Sequence, residues 1–280
     1  MKYLKFNNGE KIPVLNFGVF EIEPENTKDV VLKALEVGYR SFDNAQIYLN
    51  EKEVGQAIKE SDVSRNDVFL ISKNWVSNAG YEKTLKSFDK TLEAFQTDYL
   101  DLFLIHQPFG DYYGSYRALE DLQKEGKLLS IGLSNFYPDR LIDLVMNNEV
   151  VPQVNQVETS PYFQQWESHE IMEKLGVTHQ AWGPFSEGMN NLFENPILVE
   201  IAEKYSKSTG QVILRWLYDR DIAIACRSIK ESRMKENMDI FDFELTKADI
   251  EKIKELDCGK SPWIDHTDPE TVVEFNEEIL

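Results

Sequence analysis

The sequence predicts an α/β protein, a (β/α)8 TIM barrel preceded by an N-terminal β-hairpin. Three observations carry that expectation. One syntax recurs along the chain, amphipathic helix, then glycine, then apolar strand: DVVLKALEVG leads into YRSFD, ALEDLQKEG into KLLSIGLS, and HEIMEKLG into VTHQAW. Eight candidate strands follow from it, at 15–20, 40–45, 68–73, 99–106, 128–135, 152–158, 178–182 and 223–228. Strands alternating with helices imply a parallel sheet covered by helices, and eight such units in 280 residues suit a closed barrel. An open doubly wound sheet is the competing architecture, but it would want G-x-G-x-x-G after an early strand, and the sequence has none.

The elements can be justified in order. KYLKFNNGEKIPVL places NNG between two short alternating runs, the pattern of a β-hairpin. Gly38, Gly126 and Gly176 each stand where a helix stops in the left-handed conformation before the chain turns into a strand. In YEKTLKSFDKTLEAF, Leu85, Phe88, Leu92 and Phe95 share one helical face. Pro138 suits the first turn of a helix in NFYPDRLIDLV, and Thr246 with Asp249 forms a capping box opening TKADIEKIKEL. No linker or low-complexity stretch interrupts the chain, so residues 1–280 are expected to form a single domain.

Composition removes several function classes. A net charge of −19 disfavours nucleic acid and anionic lipid as partners, so an anionic ligand needs a local basic pocket. No apolar run is long enough to cross a membrane, and MKYLKFNNGE lacks a signal-peptide core. Cys226 and Cys258 form no C-x-x-C, and the four histidines show no metal-binding spacing. No metal is expected, and a reduced cytoplasmic setting is the plain expectation. A monomer is the default for the oligomeric state.

In parallel barrels, chemistry sits at the carboxyl ends of the strands. Six strand ends here carry a charged or hydrogen-bonding residue: Asp43, Lys73, His106, Asn135, Gln156, and Arg227 with Ser228. Any one of these alone could be a strand end reaching water. Asp, Lys and His ending three consecutive apolar runs are harder to dismiss. A lysine at the mouth of an apolar barrel needs a counter-charge, and Asp43 on the adjacent strand can supply it. Tyr48, five residues beyond Asp43, can fold back over the rim and bring its hydroxyl to the ammonium group. A neighbouring cation lowers a phenol's pKa, making Tyr48 a usable general acid, with His106 adding a hydrogen bond from the other side. Such a site protonates a developing alkoxide. RSIKESRMK, residues 227–235, adds four basic residues and one acidic at the start of a helix, where a phosphate is favoured.

These residues bring a known family into view. FDNAQIYLNEKEVG, VFLISKNW, YLDLFLIHQP, IGLSNF, VNQVE, AWGPFSEG, TGQVILRWL and RSIKESRMKENMDIFDFEL resemble the successive motifs of the aldo-keto reductases, from about residue 3 to 270. The chain is most similar to the short-loop bacterial 2,5-diketo-gluconate and methylglyoxal reductase type. The resemblance implies NADPH (NADP) bound in extended form and reduction of a small aldehyde or ketone to the alcohol. It implies Tyr48 as proton donor, Lys73 and Asp43 as its pKa partners, and His106 orienting the carbonyl. Ser134, Asn135 and Gln156 fall where the family holds the nicotinamide carboxamide, and Trp182 where an aromatic ring stacks on the nicotinamide. Arg227, Ser228 and Arg233 match the positions gripping the adenosine 2′-phosphate, and Glu236 and Asn237 those near the adenine. Phe20 and Trp75 match pocket-lining aromatics, and Gln107 follows the histidine at a substrate position.

Several departures from the family pattern carry expectations of their own. Cys226–Arg227 replaces a common proline–lysine, which leaves NADPH preference less secure, and Cys226 is either a small hydrophobe or an oxidisable thiol. Leu49 replaces a usual glycine and is expected to alter the loop and narrow the pocket. Asn44 replaces a common threonine. The short tail after residue 260 suggests an open site for small carbonyl compounds. Two rival functions stand beside reduction: a Schiff-base lyase using Lys73, and a cofactor-binding member of the same fold without enzymatic activity.

Overall fold

The computed structural model describes residues 2–280. A two-stranded antiparallel hairpin, β1 (Tyr3–Lys5) and β2 (Lys11–Pro13), comes first. Its turn is closed by hydrogen bonds from Phe6 N to Glu10 O and from Gly9 N to Phe6 O, and Gly9 has the positive φ that the turn requires. Asn7 Nδ2 donates to Pro152 O and Asn8 Nδ2 to Leu129 O, which fastens the hairpin under the barrel.

Eight parallel strands then close on themselves in sequence order: β3 (Leu15–Gly18), β4 (Ser41–Asp43), β5 (Phe69–Asn74), β6 (Leu100–Ile105), β7 (Leu128–Ser134), β8 (Val154–Glu158), β9 (Thr178–Trp182) and β10 (Ala223–Cys226), which pairs back with β3. The helices are α1 (Pro24–Val37), α2 (Glu51–Glu60), α3 (Tyr81–Phe95), α4 (Tyr112–Lys124), α5 (Pro138–Met146), α6 (Trp166–Leu175), α7 (Pro196–Tyr205), α8 (Thr209–Tyr218), α9 (Glu231–Met238), α10 (Lys247–Lys254) and α11 (Pro269–Glu277). The barrel and hairpin expected from the sequence are therefore present.

Alternation along each strand sorts the side chains. Phe17, Phe42, Leu70, Phe103 and Ile131 face outward into the main core beneath the helices, while Ile71, Leu102, Leu104 and Val154 fill the lumen with Phe6 and Ile12 of the hairpin below. Each such burial is worth about 1.5–3 kcal/mol. Gly38, Gly126 and Gly176 all adopt positive φ, and both Pro138 at a helix start and the Thr246–Asp249 capping box are present.

Several strands are shorter than expected, for local reasons. β7 stops before Asn135, whose φ of +63° turns the chain out of the sheet. β4 stops at Asp43 because the carbonyl of Asn44 turns to accept from Lys73 Nζ. β10 stops at Cys226 because Arg227 leaves the barrel to bond the carbonyls of Phe20 and Glu21.

Candidate active site

The pleat that points Ile71 into the lumen also points Lys73 there, one step nearer the rim, and the same alternation turns Asp43, Ser134, Gln156 and Trp182 toward the mouth. Lys73 has no exposed surface. Its Nζ donates to Asp43 Oδ1 at 2.6 Å, to Asn44 O at 2.8 Å and to Tyr48 Oη at 3.3 Å. Three donors meet three acceptors, the condition for keeping an ammonium group in the interior. Asp43 Oδ2 accepts from Gln156 Nε2 across the barrel. Both carboxylate oxygens are thus occupied.

Tyr48 ends a 3-10 turn, Gln46–Tyr48, which Leu49 closes in the left-handed conformation at φ +58°. Glycine reaches that conformation freely, whereas leucine holds it at a cost of about 1–2 kcal/mol. The Leu49 side chain is 70% exposed and does not line the cleft, so the pocket narrowing expected from it does not occur.

The electrostatics differ from the sequence expectation at one point. The Tyr48 phenol is raised above its ordinary pKa rather than lowered, because burial outweighs the downward pull of Lys73, and Asp43 adds to the rise. Tyr48 is therefore protonated near neutral pH, with a cation beside it that favours the phenolate once the proton leaves. Burial pulls Lys73 down, but Asp43 and Tyr48 together lift it above the usual lysine value. His106 lies well below the usual histidine value through burial and the nearby charge of Lys73, with His266 adding to the drop only where it is itself protonated, so the ring is neutral. His106 Nδ1 is buried without a partner. The ring meets Tyr48 edge-on at 6.0 Å and Trp75 at 5.1 Å between centroids.

A cleft of about 610 Å³ opens above this floor. Of the residues anticipated for the site, Phe20, Asp43, Tyr48, Trp75, His106, Gln107, Ser134, Asn135, Gln156, Trp182, Arg227 and Arg233 line it, and Lys73 lies directly beneath. Asn135 joins the walls, donating to His106 O and Gln107 Oε1 and accepting from Trp182 Nε1 at 2.9 Å. Ser228, Glu236 and Asn237 do not line the cleft. Ser228 Oγ accepts from Lys230 N at the entrance to α9, the Glu236 carboxylate accepts from the Ser208 hydroxyl, and buried Asn237 donates to Cys226 Sγ. Cys226 faces outward from the barrel, and burial pushes its thiol up to about 12. It is a small hydrophobe, not a reactive thiol.

Some lining residues escaped the sequence reading. Glu187 comes from the loop after β9, and Trp263, His266 and Phe275 from the terminal segment. That segment crosses the mouth: Trp263 meets Trp182 edge-on and tilts against Phe20, Phe275 packs on Trp75, and Trp75 Nε1 donates to Glu278 O. The open site expected from a short tail is thus corrected to a covered one. The clustering of Trp263, Ile264 and Phe275 in an otherwise acidic tail was the available signal.

A lysine, tyrosine, aspartate and histidine thus gather at the floor of a cleft in the barrel mouth. Residues 15–257 match the family described as "Aldo/keto reductase family", and the chain belongs to it. It is 46% identical over 255 residues to the glyoxal reductase of Bacillus subtilis (strain 168), covering 90% of this chain and 92% of that one. The methylglyoxal reductase DkgA of Yersinia pestis is 36% identical over 260 residues, covering 92% and 93%. Among solved structures, a mutant of Gox0644 in complex with NADPH superposes with a TM-score of 0.90 at 32% identity, over 95% of this chain and 97% of that one.

Proposed function

We propose that this chain is an NADPH-dependent reductase of small uncharged aldehydes and ketones, with Tyr48 as proton donor. The carrying observation is the bond from Lys73 Nζ to Tyr48 Oη at 3.3 Å, backed by Asp43 at 2.6 Å. A dinucleotide fits the donor set: the Asn135 and Gln156 carboxamides and the Trp182 ring lie by the floor, and the Arg227 and Arg233 guanidinium groups lie on the rim, suited to phosphate. When bound, the reduced nicotinamide supplies a hydride to the carbonyl carbon.

The chain's residues handle the oxygen. Tyr48 gives its hydroxyl proton to the carbonyl oxygen, and the phenolate left behind is stabilised by Lys73. Neutral His106 offers a ring N–H that orients the carbonyl. Trp263, Phe275 and Trp75 shield the reacting centre from water. A Schiff base at Lys73 needs a free amine, and partners that raise its pKa and fill its three N–H bonds oppose that role.

Substrate charge follows from the lining. Arg227 and Arg233 are the only lysine or arginine side chains in the cleft among the described residues, and the aromatic part offers Phe20, Trp75, Trp263 and Phe275 instead. His266 is pushed down to about 4 by burial and stays neutral. A carboxylate-bearing substrate finds no counter-charge there. The glyoxal and methylglyoxal reductases among the relatives act, by name, on uncharged dicarbonyls. The test is NADPH consumption with glyoxal, methylglyoxal and a 2-oxo acid compared at equal concentration. Turnover of the first two with little of the third is expected. Turnover of none would contradict the reductase reading, and preference for the 2-oxo acid would contradict the substrate class.

A further inference from the structure

Arg227 is already engaged. Its Nη1 lies 3.0 Å from Glu21 Oε2 and also donates to Phe20 O at 2.9 Å and to Glu21 O at 3.2 Å. Glu21 sits just beyond β3 with φ +53°, a conformation that holds its carbonyl and carboxylate together against the guanidinium. Glu187, from the loop after β9, lines the same cleft and feels the charges of both Arg227 and Glu21. Two carboxylates therefore flank the one cation that leaves the end of β10, in a cleft whose other cation is Arg233.

We infer that Glu21 sets the selectivity between phosphorylated and unphosphorylated nicotinamide dinucleotides. The inference rests on the cofactor reading above. A 2′-phosphate approaching Arg227 meets a guanidinium whose charge is compensated at contact distance, and it meets the repulsion of Glu21 itself. A 2′-hydroxyl carries no charge, so the Glu21 carboxylate does not repel it and the compensated charge of Arg227 matters little to it. Glu21 thus weakens the binding of NADPH more than that of NADH, and the preference for NADPH is smaller than two arginines on the rim would produce. Glu21 acts through Arg227 and has no part in proton transfer.

The test is a tryptophan-fluorescence titration of the full chain and of Glu21→Gln with NADPH and NADH, at low and at high salt. Because the pair is partly exposed and screened, the expected gain in NADPH affinity for Glu21→Gln is about three- to tenfold, shrinking with salt, with NADH changed by less than about twofold. Glu21→Lys should extend the change in the same direction. Equal shifts for both cofactors, or no shift for either, would overturn the inference while leaving the reductase reading standing. Failure of the unsubstituted chain to bind either cofactor would overturn both.

Discussion

Lys73 Nζ stands 2.6 Å from Asp43 Oδ1, and both side chains are closed to solvent. Removing one partner of such a pair strands the other charge, which costs about 3–5 kcal/mol, whereas removing both costs less. Asp43→Asn is therefore expected to lower stability strongly in denaturant unfolding. The double variant Asp43→Asn, Lys73→Met should recover part of the loss while remaining inactive. Additive losses would mean that the pair is not coupled in the folded state.

Glu158, at the end of β8, is buried with Oε2 unpartnered, and burial raises its carboxyl to about 7 against a hydrogen bond from Ser261 that lowers it. The folded state thus holds a proton that the unfolded state, titrating near 4.5, has released. Its stabilising share is fully present below the unfolded value and is lost as pH rises through about 7. Glu158→Gln lacks that loss. Its stability relative to the parent should improve by about 1 kcal/mol or more between pH 5 and 8, read from paired melting curves. Parallel curves across that range would show that Glu158 titrates normally.

Gly55 lies in α2 where a Cβ would fall 2.6 Å from both the Cα and the carbonyl oxygen of Phe95 at the end of α3. Alanine in a helix is ordinarily favoured over glycine by about 1 kcal/mol. Here the clash is with backbone, which cannot step aside as a side-chain end would. Gly55→Ala should destabilise the fold by about 1–3 kcal/mol in chemical denaturation. An unchanged or raised midpoint would mean that α2 and α3 can separate.

The barrel and the floor of its site were legible because both rest on short-range pattern. Apolar runs ending in Asp43, Lys73 and His106 mark strand ends, and the period of two along a strand carries those side chains to one rim. Enclosure was not legible. A sequence shows that Lys73 can reach Tyr48, but not how much solvent the phenol loses, and that loss decides the direction of its pKa. Loop placement was equally hidden. Glu187 and Trp263 reach the cleft through turns whose course depends on what they pack against, and Leu49 points outward because its backbone is left-handed. Glu236 and Asn237 sit at anticipated positions in α9, yet internal partners hold their side chains.

Tyr48→Phe tests proton donation most directly, because it removes one hydroxyl and leaves the ring that packs 5.0 Å from Phe20. Steady-state turnover of glyoxal should fall at least ~10²-fold, with NADPH affinity by fluorescence titration changed by no more than about twofold. Unchanged turnover in a variant that still binds the cofactor would show that the proton comes from somewhere other than Tyr48.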